Sequence, residues 1–119
     1  MTGKEIALRR YERAWSESGF WRTVRRRARL AGREAIEHAL VLYYTLRSPH
    51  TPVWAKTAII GALGYFISVV DAIPDLTPVL GYTDDVGVLL AALAAVARSV
   101  TPAIRERARR EAAALFGAA

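Results

Sequence analysis

Cysteine is absent from this chain, which excludes disulfides, thiolate metal sites and cysteine nucleophiles. Histidine is nearly so: His38 and His50 are too few for a histidine-rich zinc site, so any bound metal would have to be held by oxygen. Serine chemistry lacks a partner, because Ser48 and Ser68, the serines near the central segments, stand at no recognisable spacing from either histidine. No glycine-rich phosphate loop occurs, since Gly61 and Gly64 fall inside a helical pattern without a following Lys-Ser/Thr. There is no strand-like alternation of useful length and no internal repeat. Finally, neither long apolar run reaches the ~18–20 residues a helix needs to cross a bilayer unaided.

What is present is a chain of 119 residues, one domain by size, with 17 basic and 11 acidic side chains. The imbalance is local. Residues 1–47 carry eleven basic and five acidic side chains, residues 48–100 two and four, and residues 101–119 four and two. The first ten residues have no apolar core of the length a cleavable signal requires, so the N-terminal segment is expected to be retained.

Helical periodicity runs throughout. Residues 4–16 read as a short amphipathic helix, and Phe20–Arg47 as a longer one. In the longer helix Trp21, Val24, Ala28, Ala31 and Ala35 form an apolar stripe and Arg22, Arg26, Arg29 and Arg33 a basic one. Its last turns, through Ala39–Leu46, are apolar and expected to be buried. Thr51 is an N-cap candidate with Pro52 at the first helical position of a helix running to Val70, in which Lys56 is the lone charge. Residues 71–85 form a loop broken by Pro74, Pro78 and Gly81. Thr83 is the N-cap candidate for a further helix through Ala97, with Asp84 and Asp85 in its first turn. Pro102 kinks or restarts the chain, and Ile104–Phe116 reads as a charged terminal helix. The expected architecture is all-α: basic N-terminal helices at 1–47, an apolar helical hairpin with an acidic loop at 48–100, and a charged helix at 101–119, together one domain.

The apolar pair admits two readings. It can be the core of a soluble bundle or a hairpin in a membrane, either two short spans or a re-entrant pair. Three features favour the membrane. Adding Val53 and Trp54, with Lys56 snorkelling, extends the first run to about eighteen residues. Gly61, Gly64 and Ser68 on one helix and Gly87, Ala91 and Ala95 on the other recur at close-packing intervals, which also suits a homo-oligomer. Basic flanks and an acidic loop place both termini on the cytoplasmic side of the cell membrane. Trp15, Trp21, Arg22, Arg25, Arg26, Arg29 and Arg33 would then meet an anionic membrane surface. Nucleic acid is the competing partner, because arginines interleaved with tryptophans suit both.

Four carboxylates in one loop carry the other chemistry. Asp84 and Asp85 are explained by helix capping, and Asp71 and Asp75 by aspartate-initiated turns. If instead Asp71, Asp75, Asp84 and Asp85 converge, their mutual repulsion calls for an arginine or a divalent cation, magnesium or calcium by ligand type. A hard cation would make hydrolytic chemistry conceivable. Nothing else in the sequence supports an enzyme, and the reading it favours is an interaction or scaffolding module.

The segment from Pro52 and Lys56 through Tyr65, then Asp71-Ala-Ile-Pro74-Asp75 and Pro78-Val-Leu-Gly81-Tyr82-Thr-Asp84-Asp85, resembles the YkvA-like family, a domain of unknown function in small bacterial proteins. The resemblance covers about residues 42–97 and implies an all-helical, membrane-associated module. One position departs from the family pattern: Val69 stands where the family has a proline. The first apolar helix is therefore expected to continue to Asp71 without a kink. Asp71 would then meet the unfavourable negative pole of that helix, at a cost of ~0.3–1 kcal/mol.

Overall fold

A computed structural model describes residues 15–72 and 83–117; within its helices the side chains of residues 27, 29, 30, 71, 72 and 83–86 are not described. Five α-helices and one 3-10 turn make up the described residues, with no strand among them: α1 Glu17–Ala31, α2 Arg33–Arg47, α3 Val53–Ala72, α4 Thr83–Ala95, the turn Ala97–Ser99, and α5 Pro102–Leu115. The segment expected as a helix at residues 4–16 lies almost wholly outside them.

The chain is organised around α2. Its sequence is apolar on every side over two turns, and the seven consecutive residues Ala39–Thr45 are all buried. A helix with that pattern is stable only when surrounded. It is: α1, α3, α4 and α5 all pack against α2, while α1 also meets α3 and α3 meets α4. Leu40 and Leu42 on α2, Ile59, Leu63 and Phe66 on α3, and Leu89 on α4 are fully enclosed in one continuous core. The centre of the molecule is therefore the second half of the basic region, not the apolar hairpin that follows it.

Several expected boundaries are corrected. The helix expected over Phe20–Arg47 is two helices, because Gly32 turns the chain at φ 90° and ψ 152°. That backbone region is essentially reserved for glycine. The Gly32 amide still donates to the Ala28 carbonyl at 2.9 Å and its own carbonyl accepts from the Ile36 amide at 3.1 Å, so one residue ends α1 and begins α2. At the other end, α1 begins at Glu17 rather than Phe20, with the Ser16 hydroxyl accepting the Gly19 amide at 3.0 Å. Thr51, the cap candidate for α3, instead donates its hydroxyl to the Thr45 carbonyl at 2.6 Å and pins the turn to the end of α2. Pro102 restarts the chain: Thr101 caps α5 by accepting the Ile104 amide at 3.1 Å. The expectation from Val69 holds, since α3 continues through Asp71 to Ala72.

Candidate functional site

The aspartate motif is split between two helix ends. Asp71 is the penultimate residue of α3, and Asp84 and Asp85 are the second and third residues of α4. Asp75, Pro74, Pro78, Gly81 and Tyr82 lie outside the described residues, as do the side chains of Asp71, Asp84 and Asp85. Convergence of the four carboxylates on magnesium or calcium is thus a proposition about residues that are not described. Among those that are, no group of three metal-ligating side chains comes together.

The helix leading into the motif is well defined. α3 exposes Val53 and Trp54 at its start, at 78% and 60% of their full surface, and half-buries Lys56 one turn along. Gly61 and Gly64 are buried, and Tyr65 and Ser68 half-buried. Its span Val53–Val70 is long and apolar enough to cross a membrane by length and composition, with half of it covered by the protein's own core. A core helix meets the same length test, and only Val53 and Trp54 of this span are exposed, so those two residues are the informative part. On α4 the residues turned inward are Leu89 and Leu93, followed by Val96 just past its end, whereas Gly87, Ala91 and Ala95 face outward with Leu90, which is 45% exposed. A side chain added at Gly87 would meet open space. The small-residue row of α3 thus points mostly inward and that of α4 outward.

The basic face is carried by α1. Phe20, Val24, Ala28 and Ala31 turn inward, leaving Arg22, Arg25 and Arg26 exposed, with Arg33 exposed at the start of α2; the Arg29 side chain is not described. The two tryptophans assigned to the same face are occupied internally. Trp15 lies 5.7 Å from Phe20, Trp21 lies edge-on to Tyr43 at 5.1 Å, and Phe20 stacks on Tyr43 at 5.0 Å. Arg25 sits 5.6 Å over the Trp21 ring. What α1 offers a partner is therefore a row of guanidinium groups, with its apolar side already spent on the core.

Two charge arrangements escaped the sequence reading because they join residues far apart in the chain. Tyr43 donates its hydroxyl to Glu17, whose carboxylate also accepts from Arg47 Nη1 at 3.0 and 3.1 Å, closing the start of α1 onto the end of α2. Arg107 of α5 lies 4.4 Å over the ring of Tyr44. Burial first, and then Glu17, hold the Tyr43 phenol above its ordinary 10.0; burial first, and then Glu111, do the same for Tyr44. Apolar periodicity reports which face is buried, not which ionic partner arrives from another helix. The one local signal was the pair of tyrosines in an apolar stretch, since buried hydroxyls call for polar partners.

No curated protein and no solved structure matches the chain. Residues 55–91 match a family model described as Protein of unknown function (DUF1232).

Proposed function

The chain belongs, through residues 55–91, to the DUF1232 family, and from that premise we propose that it is a non-enzymatic helical module that associates with the anionic surface of the cell membrane and serves there as an interaction or scaffolding component. The observation that carries this reading is α3: an eighteen-residue apolar span, half buried and for the rest mostly half-buried, that begins with an exposed valine and tryptophan. The exposed arginines of α1 and α2 supply the attraction, at ~1 kcal/mol for each guanidinium near the headgroups. Both termini lie on the cytoplasmic side in this reading, because the basic residues flank the hairpin. Self-association through the outward row Gly87, Ala91 and Ala95 belongs to the same proposal.

Sedimentation with vesicles tests it. The purified chain is expected to pellet with phosphatidylglycerol vesicles and not with phosphatidylcholine alone, with a blue shift in emission that Trp54→Ser abolishes. A chain that stays monodisperse without detergent and ignores both vesicles, or that binds a short DNA duplex and no vesicle, overturns the reading. Because the chain has no cysteine, Thr77→Cys can then be labelled without background. Reaction with an impermeant reagent on intact cells means two crossings with the loop outside, and reaction only after permeabilisation means attachment at the cytoplasmic face.

A further inference from the structure

A pocket of about 390 Å³ opens where the end of α2, the turn after it and the first turn of α5 meet. None of its lining side chains is acidic, and two of them, Arg47 and Arg107, are permanently charged. Each guanidinium is held from a side that leaves donors over. Glu17 engages Nη1 of Arg47, so Nη2 and Nε keep no ion-pair partner among the described residues. Tyr44, which is only 8% exposed, lies beneath Arg107, and a stacked guanidinium keeps its N–H groups at the edge.

The uncharged lining repeats the bias. Thr101 and Ser48 each accept an amide proton, from Ile104 at 3.1 Å and from His50 at 3.4 Å, and each retains its own hydroxyl proton to donate. The Tyr44 hydroxyl accepts from Arg107, itself a donor, and keeps its own proton. Ala103 brings a first-turn amide of α5, one of those a helix leaves without an intrahelical partner, and no acceptor meets it among the described residues. No acidic side chain sits in that first turn, so the positive pole of the helix is uncompensated. Apart from Glu17 on Arg47, donors thus converge from three segments of chain with no carboxylate in the lining to receive them.

We propose that this pocket binds a phosphate monoester, gripped by Arg47, Arg107 and the amino-terminal turn of α5. A tetrahedral group presents three oxygens to donors arriving from three directions, whereas a carboxylate presents two in one plane, and guanidinium forks match phosphate oxygens pairwise. The volume exceeds the phosphate itself, and Ile104 and Pro49 supply apolar lining for the ester's carbon skeleton. The same chemistry has two sources, a soluble phosphoester or the headgroup of phosphatidic acid. Val53 and Trp54, exposed three and four residues along the chain from His50, are apolar surface that would suit the second. Neither the arginines of α1 nor residues 55–91 line the pocket, so binding of a soluble phosphoester there is independent of the membrane reading, whereas binding of a lipid headgroup rests on it.

Calorimetric titration of the full chain at fixed ionic strength tests the site, with glycerol 3-phosphate in solution and with vesicles containing phosphatidic acid. Saturable one-to-one binding is expected, weakened at least tenfold by Arg107→Gln and by Arg47→Gln. Removing the same kind of charge from α1, in Arg22→Gln/Arg25→Gln/Arg26→Gln, is expected to change binding of glycerol 3-phosphate less than twofold. Ala103→Glu serves where an arginine variant loses its fold: a carboxylate in the first turn suits α5, yet occupies the place of the anion and abolishes binding. Saturation by glycerol 3-phosphate assigns a soluble ligand, and saturation on phosphatidic acid vesicles alone assigns a headgroup. Absence of saturable binding to both, or equal loss of glycerol 3-phosphate binding in the pocket and α1 variants, overturns the proposal.

Discussion

Tyr43 shows how one residue can serve two kinds of stability. Its ring stacks on Phe20 and meets Trp21 edge-on, while its hydroxyl closes the link to Glu17 and Arg47. Both Tyr43 and its neighbour Tyr44 have phenols raised above 10.0 by burial and by a nearby carboxylate, Glu17 in one case and Glu111 in the other, with Arg47 and Arg107 opposing. The folded chain therefore holds these two protons more tightly than the unfolded chain does. That contribution is fully present below pH 10 and is lost as the pH rises through the folded values. Urea unfolding followed from pH 8 to 11 is expected to show stability falling steeply above pH 10, and Tyr43→Phe/Tyr44→Phe is expected to flatten the fall. An unchanged slope in the double variant would assign the alkaline loss to other groups.

Among the elements, the pair α1 and α2 depends on a single glycine. With Gly32 at φ 90° and ψ 152°, Gly32→Ala is expected to cost ~1–3 kcal/mol in chemical denaturation, although an added side chain would find open space there. Were α1 and α2 one continuous helix, the same change would stabilise by ~0.5–1 kcal/mol instead, so the sign alone decides. The sequence made the existence of nearly every element legible, because apolar stripes and proline punctuation are local. Of the apolar stripe Trp21, Val24, Ala28, Ala31 and Ala35, all but the half-buried Trp21 are buried, and of the two outcomes expected at Pro102, a kink or a restart, the chain takes the restart. The break at Gly32 was not legible, because a lone glycine inside a periodic run costs a helix only ~1 kcal/mol and tertiary packing decides whether the helix turns there. Thr51 misled for a related reason: its hydroxyl had a competing acceptor, the Thr45 carbonyl, that only the folded turn brings into reach. The candidate sites divide in the same way. The arginine row of α1 was legible from spacing, whereas the placing of Arg107 over Tyr44 joins residues 63 apart and leaves no local trace.

Taken whole, the molecule places its most recognisable segment beside its centre. Residues 55–91 contribute Ile59, Leu63, Phe66 and Leu89 to a core that α2 completes, and α1 covers α3 from another side. A fragment of residues 53–97 alone therefore exposes those four side chains, each worth ~1.5–3 kcal/mol when buried. It is expected to show helical circular dichroism without a cooperative thermal transition, and addition of residues 17–47 in the same polypeptide is expected to restore one. A cooperative melt from the short fragment would show that the hairpin is stable by its own contacts.

The encirclement of Ala39–Thr45 sets where this chain can vary. A change of volume at Leu40 or Leu42 is felt by the surrounding helices at once, whereas an exchange at an exposed arginine of α1 disturbs none of them. Freedom to vary thus belongs to the charged exterior, and the matched segment depends for its packing on seven residues that precede it.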